Sequence, residues 1–252
     1  MTQFTCDTFF NGQILVRQSK NGYRFSIDAV LLAGYAFPRP GDRVLDMGTG
    51  CGIVPLILAH QNPQIQIYGI EVQKEMADIA LQNIQDNCME SKVTILHQNI
   101  MDLKHKTITG PVDLVVSNPP YRKNRSGRIC KNSQRAIARH EITATLDDFL
   151  RAASRILNIS GRFITIYPAE RMVDMLAQMR KFNLEPKYLR TIHSKRGTEA
   201  KLILVEGMKK GGPGIKIKEP IIIYNKNGEY TEELKKIYGM IQQPITHPKS
   251  LS

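Results

Sequence analysis

Short runs of branched apolar residues recur along most of the chain, separated by stretches whose apolar positions return with helical period. Arg43–Met47, Ile65–Glu71, Val93–His97, Val112–Ser117 and Arg162–Tyr167 carry the first pattern and predict buried strands. Ile53–His60, Leu146–Leu157 and Lys74–Asn87 carry the second and predict helices, the last with Met76, Ile79, Ala80 and Ile84 on one face. Ala169–Lys181 adds another helix, and Tyr188–His193 and Lys201–Glu206 add two strands around a tight turn at Gly197. Strand alternating with helix requires right-handed crossovers between parallel strands. The expected fold is therefore α/β: a mostly parallel sheet of seven strands, closed by a C-terminal antiparallel hairpin, with helices on both faces.

At 252 residues, one main core with additions at either end is expected. Residues 41–208 form that domain, 1–40 an N-terminal extension, and 209–252 a C-terminal extension, with a loop at Lys209–Gly214 and a frayed tail from Pro244. There is no internal repeat. The longest apolar stretch, Ala29–Phe37, has nine residues, against the roughly 18 a membrane helix needs. Met1–Gln13 lacks the basic-then-apolar pattern of a signal peptide, so a cytoplasmic protein is expected. Cys6, Cys51, Cys88 and Cys130 lie 45, 37 and 42 residues apart, without the paired spacing of zinc or redox motifs, so free thiols and no metal are expected. A net charge of +12 attracts polyanions at long range and puts nucleic acid first among partners. Oligomeric state is not written in the sequence.

Two segments carry chemistry. The first strand runs into Asp46-Met-Gly48-Thr49-Gly50-Cys-Gly52 and then a helix, so alternating glycines occupy the first βα turn, where backbone can approach a ligand closely. The dinucleotide fingerprint would place its third glycine at Ile53, so the spacing departs from that pattern. Glu71 closes the second strand, where a carboxylate can accept hydrogen bonds from both hydroxyls of a ribose. The second segment is Asn118-Pro119-Pro120-Tyr121, directly after a buried strand. Its prolines fix the backbone, and the Asn118 side-chain carbonyl with the next main-chain carbonyl can face the crevice at the strand's end, which suits an amino group on a planar ring.

The acidic residue followed by Gly-x-Gly-x-Gly resembles the first motif of class I S-adenosylmethionine-dependent methyltransferases. The resemblance implies a Rossmann-like fold, S-adenosylmethionine as cofactor, and Asp46, Gly48, Thr49, Gly50, Gly52, Glu71 and Val72 around it. This family usually places an Asp near the cofactor's adenine after the third strand. Here the matching position is Asn99, beside Ile100, with Asp102 as the alternative. Adding Asn-Pro-Pro-Tyr narrows the likeness to enzymes that methylate exocyclic or amide nitrogens. In those, Asn118 and the Pro119 carbonyl would accept both amino hydrogens and free the nitrogen lone pair, Asn118 would also border the cofactor, and Tyr121 would stack on an extruded base.

Three stretches further resemble the bacterial tRNA1(Val) (adenine-N6)-methyltransferase group: Lys20–Ala33, the tetrapeptide with its basic continuation, and Ala138-Arg-His-Glu141. The first implies Arg24, Phe25 and Asp28 at the cofactor pocket, although Ser26 also fits as a simple N-cap of a helix with Asp28 in its first turn. No acidic residue lies between Leu114 and His140, while Arg122, Lys123, Arg125, Arg128, Lys131, Arg135 and Arg139 follow the tetrapeptide, a phosphate-binding loop by composition. His140 is read as structural. The expected substrate is an adenine N6 in structured RNA, a tRNA base beside the anticodon. The rivals are glutamine methylation of release factors, which needs a helical domain ahead of the glycine turn; guanine-N2 methylation of ribosomal RNA; and an RNA-binding module with a degenerate cofactor site.

Overall fold

The structure, a computed structural model, describes residues 4–19, 26–119 and 144–239. β1 (Phe4–Phe9) and β2 (Ile14–Ser19) form a hairpin, and α1 (Ile27–Tyr35) leads into β3 (Arg43–Met47), α2 (Ile53–Gln61), β4 (Gln66–Glu71), α3 (Lys74–Asp86), β5 (Val93–His97) and β6 (Val112–Ser117). After the described residues resume come α4 (Leu146–Ile156), β7 (Leu157–Pro168), α5 (Met172–Lys181), β8 (Leu184–Lys195), β9 (Ala200–Lys209), the short β10 (Lys216–Ile217) and β11 (Ile221–Tyr224), and α6 (Glu232–Ile237).

Nine strands build the main sheet in the order β10-β8-β9-β7-β6-β3-β4-β5, with β11 also on β8. β9 alone runs against its neighbours. All seven strands expected from the sequence are there, and the β8–β9 hairpin closes the sheet; the count is nine rather than seven because β10 and β11 extend its edge. β10 has only two exposed residues and no period to read. β11 is one short apolar run behind Pro220. Pro186 lies in β8 beside a register shift with β9 and ahead of Tyr188, where the pairing with β10 begins.

Successive side chains on each central strand alternate between two cores. Val44, Leu114, Val116 and Ile164 pack under α1, α2 and α3, while Leu45, Met47, Val115 and Phe163 meet Phe149, Leu150 and Ala153 of α4 and Met175 of α5. Because both faces are covered, these strands are continuous apolar runs. Capping explains where α4 begins. The Thr145 hydroxyl accepts from the Asp148 N–H, and the Asp148 carboxylate accepts from the Thr145 N–H. Among the described residues, no helix is long and apolar enough to cross a membrane, and no group of three or more His, Cys, Asp or Glu is placed to hold a metal.

The N-terminal hairpin is a finding of the structure alone. Asn83 on α3 and Asn87, which caps its C-terminus one turn further on, act as a substitute strand for β2. Asn83 Oδ1 accepts from the Arg17 N–H (2.8 Å) and its Nδ2 donates to the Arg17 carbonyl (3.1 Å), while Asn87 does the same for Leu15 (2.9 and 2.7 Å). Asn83 Nδ2 also donates to the Cys51 carbonyl in the glycine turn at 2.8 Å, fully buried. Truncating Asn83 would strand backbone groups in a dry site, each worth about 1–3 kcal/mol. Asn83→Ala is therefore expected to destabilise the protein by ~2 kcal/mol, seen as a Tm lower by about 4–8 °C in calorimetry.

Candidate functional site

β3 and β6 are adjacent and parallel, with Met47 opposite Ser117, and β4 flanks β3 with Ile70 opposite Met47. All three strands end at the same level. The glycine turn, residues 48–52, and Asn118-Pro119 therefore leave the sheet side by side, about 5 Å apart as neighbouring strands are. Ser117 fastens this junction: its buried hydroxyl donates to the Met47 carbonyl at 2.9 Å. Asn118 is half-buried and Pro119 buried.

The turn itself needs glycine. Gly48, Gly50 and Gly52 all sit in the left-handed region, with φ of 78°, 57° and 84°. At Gly52 a Cβ would also lie only 3.3 Å from Ala80 on α3. Gly48 and Thr49 donate to the Ile70 carbonyl (2.9 and 3.0 Å), and Gly50 donates to Glu71 Oε2 (3.0 Å). Glu71 Oε1 accepts from the Gln73 N–H at 2.9 Å, so the buried carboxylate clamps the glycine turn to the start of α3. A carboxylate has about four lone-pair sites, so two remain for a ligand. The Phe149 ring of α4 lies over Gly48.

Asp46, at the end of β3, is 2% exposed. Its Oδ2 and the Thr49 hydroxyl, both buried, have no hydrogen-bond partner among the described residues. Burial pushes the Asp46 carboxyl up to about 7; the neighbouring Thr49 side chain works against this, and the negative charge of Glu71 adds to it. A buried carboxyl with an idle oxygen beside a second carboxylate is a place for a cation.

Beyond the third strand, Asn99 Oδ1 accepts from the Met101 N–H at 3.0 Å and caps a short 3₁₀ turn over Ile100–Asp102. Ile100 is buried, Asp102 is exposed, and the Val72 carbonyl is held by His97 Nε2 at 3.0 Å. Ser26 takes the N-cap position of α1, but its side chain makes no capping hydrogen bond. Asp28 stands in that helix's first turn. The other end of α1 lies toward the amino ends of the strands, where Arg162, early in the ladder of β7 with β6, donates to the Phe37 carbonyl at 3.0 Å. Arg24, Phe25, Pro120, Tyr121, the basic residues from Arg122 to Arg139, and His140 lie outside the described residues.

Three supporting side chains escaped the sequence: Ser117, Phe149 and Asn83. Only Asn83 left a mark there, as a polar residue one turn from Asn87 on a helix whose facing positions are apolar.

An open sheet of this order, with a left-handed glycine turn beside an Asn-Pro strand end, defines a class I methyltransferase. The chain belongs to the methyltransferase small domain family, whose family model matches residues 29–183. More particularly, it is 31% identical over 206 residues to the tRNA1(Val) (adenine(37)-N6)-methyltransferase of Porphyromonas gingivalis, covering 79% of this chain and 80% of that protein. The protein of the same name from Histophilus somni is 29% identical over 231 residues, 89% of this chain and 92% of its own. Among solved structures, the fold is similar to a crystal structure described as a predicted O-methyltransferase from Agrobacterium tumefaciens. The TM-score is 0.67 over 84% of this chain and 95% of that one; at 19% identity this bears on the fold alone.

Proposed function

We propose that this chain transfers a methyl group from S-adenosylmethionine to the N6 amino group of an adenine in tRNA, at the base 3′ of the anticodon. The observation that carries this reading is the register of Met47 with Ser117, which sets Asn118-Pro119 beside the glycine turn. The names of the relatives from P. gingivalis and H. somni supply the class of nucleic acid. A cytoplasmic location goes with that substrate.

The cofactor supplies an activated methyl group on a sulfonium, with a second positive charge on its ammonium. The residues present suit it: the bare backbone of Gly48, Gly50 and Gly52 permits close approach, the idle Asp46 Oδ2 and Thr49 hydroxyl await polar partners, and Glu71 has lone pairs left for ribose hydroxyls. Asn99 or Asp102, with Ile100 and Val72, would border the cofactor's adenine, and Asp28, with Arg24 and Phe25, would complete the pocket from the N-terminal segment. Because the Asn99 carbonyl already caps its own turn, Asp102 is the freer acceptor of the two.

On the substrate side, Asn118 Oδ1 and the Pro119 carbonyl accept the two N–H bonds of the amino group. This draws the nitrogen toward a pyramidal geometry and localises its lone pair. In this reading Tyr121, after the second proline of the motif, would stack on the extruded base. The segment from Arg122 to Arg139 holds flanking phosphates. The methylated amine is acidic enough to release its proton to water, so positioning is the protein's main task.

Incubating the protein with methyl-tritiated S-adenosylmethionine and total small RNA, in parallel with a release factor, tests the reading. Label is expected in tRNA, as N6-methyladenosine after nuclease digestion. Label in the protein substrate and none in RNA would overturn it.

A further inference from the structure

The tip of the β8–β9 hairpin is built as a rigid arm at the carboxyl end of the parallel strands, the end of the sheet at which the glycine turn and Asn118 also lie. β8 runs parallel to β6, so its C-terminal end, and with it residues 194–200, projects from the same side as the end of β6. The turn is locked by its own hydrogen bonds. The Thr198 N–H and hydroxyl both donate to the Lys195 carbonyl (3.2 and 2.8 Å), the Lys195 N–H donates to Thr198 Oγ1 (3.3 Å), and His193 joins the Thr198 carbonyl through Nδ1 (2.6 Å) and Thr191 Oγ1 through Nε2 (2.9 Å). Gly197 takes φ 81° at the apex, with open space where a Cβ would be.

This turn presents Lys195, Arg196 and Lys201, all exposed and without an ion-pair partner among the described residues; one carboxylate, the exposed Glu199, sits among them. Elsewhere exposed cations find partners, as Lys74 does with Asp78 and Lys181 with Asp147. A network of hydrogen bonds that fixes a turn while leaving its cations unpaired suits a ligand that brings its own negative charge.

We propose that Lys195, Arg196 and Lys201 form a phosphate-contacting surface for the RNA substrate, separate from the basic segment that follows Tyr121. This rests on the tRNA reading above. Strand spacing and register set the scale: β6 and β8 are three strands apart, about 14 Å sideways, and Lys195 stands six residues beyond Leu189, which is level with Ser117, a further ~20 Å along the strand and so about 24 Å in all. At a rise of about 3.4 Å per nucleotide along one strand, that is the reach of about seven nucleotides from the target base. With the base against Asn118, the backbone of its own stem crosses the hairpin tip, and phosphates rather than bases are what three flexible cations can hold there.

The triple variant Lys195→Ala/Arg196→Ala/Lys201→Ala tests this against Lys106→Ala, an exposed cation in the segment that enters β6 at the opposite, amino end of the strands. Binding of total tRNA is measured by filter retention over a salt series, beside steady-state kinetics and titration of S-adenosylmethionine. The triple variant is expected to raise the tRNA KM and Kd by about 10–30-fold and to flatten the log Kd against log salt slope by about 1–3, at roughly 0.7–0.9 per phosphate lost. Affinity for S-adenosylmethionine stays unchanged, which also reports that the protein is folded. A tRNA KM and Kd within twofold of the parent, or an equal loss in Lys106→Ala, overturns the proposal. The two ideas fail separately. A parent enzyme that methylates tRNA and a triple variant that does so equally well removes only the hairpin surface. A parent that does not methylate tRNA but binds it through these residues removes only the proposed reaction, and a parent that does not bind tRNA removes both.

Discussion

Asn118→Ala is expected to lower single-turnover methyl transfer by about 10²–10³-fold, the usual cost of removing one preorganised hydrogen-bonding group from a transition state. Affinity for S-adenosylmethionine should change less than threefold, because the glycine turn, Glu71 and Asp46 stand on β3 and β4 and keep their contacts without the Asn118 side chain. The split matters more than the size. Asn118 Oδ1 is asked to accept from the amino group most strongly as the nitrogen becomes pyramidal, so its loss belongs in the chemical step rather than in ground-state binding. Asn118→Asp keeps an acceptor at the same place but brings a charge beside Asp46 and Glu71. It should recover part of the rate of the alanine variant while weakening RNA binding. Rapid-quench measurement with saturating tRNA separates the two effects, and an alanine variant at full single-turnover rate would rule out this role for the residue.

How much of this was legible beforehand follows from how local each cause is. The five parallel strands and the helices between them come from burial on both faces, which leaves continuous apolar runs, and those runs are visible without any partner. The turn at Gly197 and the glycines at 48, 50 and 52 are equally local, since a left-handed backbone demands them. Crossover rules make these strands parallel, but their order, which places the Asn118 strand end beside the glycine turn, comes from the structure.

Features that depend on a distant partner were not legible. The N-terminal hairpin holds its place through Asn83 and Asn87, more than sixty residues away in sequence, and nothing in Phe4–Ser19 names α3 as its support. β10 and β11 exist because β8 offers an open edge; alone, two and four residues are too few to predict as strands. Glu71 was expected to serve a ribose, and the structure adds a task that the linear sequence hides, the clamp from Gly50 to Gln73. Asn99 was expected to offer its carbonyl to a ligand and uses it to cap its own turn instead. In both cases a side chain's local backbone partner lies within a few residues or on an adjacent strand, and only the folded geometry shows which acceptor is already engaged.

Asp46 gives the largest pH effect. Its carboxyl is raised from 3.8 to about 7, chiefly by burial. A raised acid contributes its full share to stability at pH values below its unfolded pKa, and that share is lost as pH rises through the folded pKa, because the native state then has to hold a desolvated charge that the unfolded chain solvates freely. Over about three pK units at 1.36 kcal/mol each, the loss approaches roughly 4 kcal/mol at pH 8. Asp46→Asn is therefore expected to match the parent near pH 4, to exceed it in Tm increasingly from pH 4 to pH 7, and to keep a steady margin above pH 7 in the absence of cofactor. Binding turns the same term around. A cationic ligand beside Oδ2 favours the ionised carboxyl, so S-adenosylmethionine should displace a proton below pH 7, and its Kd should tighten by about fivefold between pH 6 and 7 and by about twofold more to pH 8, following the ionised fraction of a group that titrates near 7. Titration calorimetry in buffers of different ionisation enthalpy counts the released proton directly. In Asp46→Asn the proton release should vanish, the Kd should become flat across this window, and affinity at pH 8 should fall. A parent protein whose Kd is independent of pH from 6 to 8 would mean that Asp46 does not face the cation, and the buried oxygen would then need another partner.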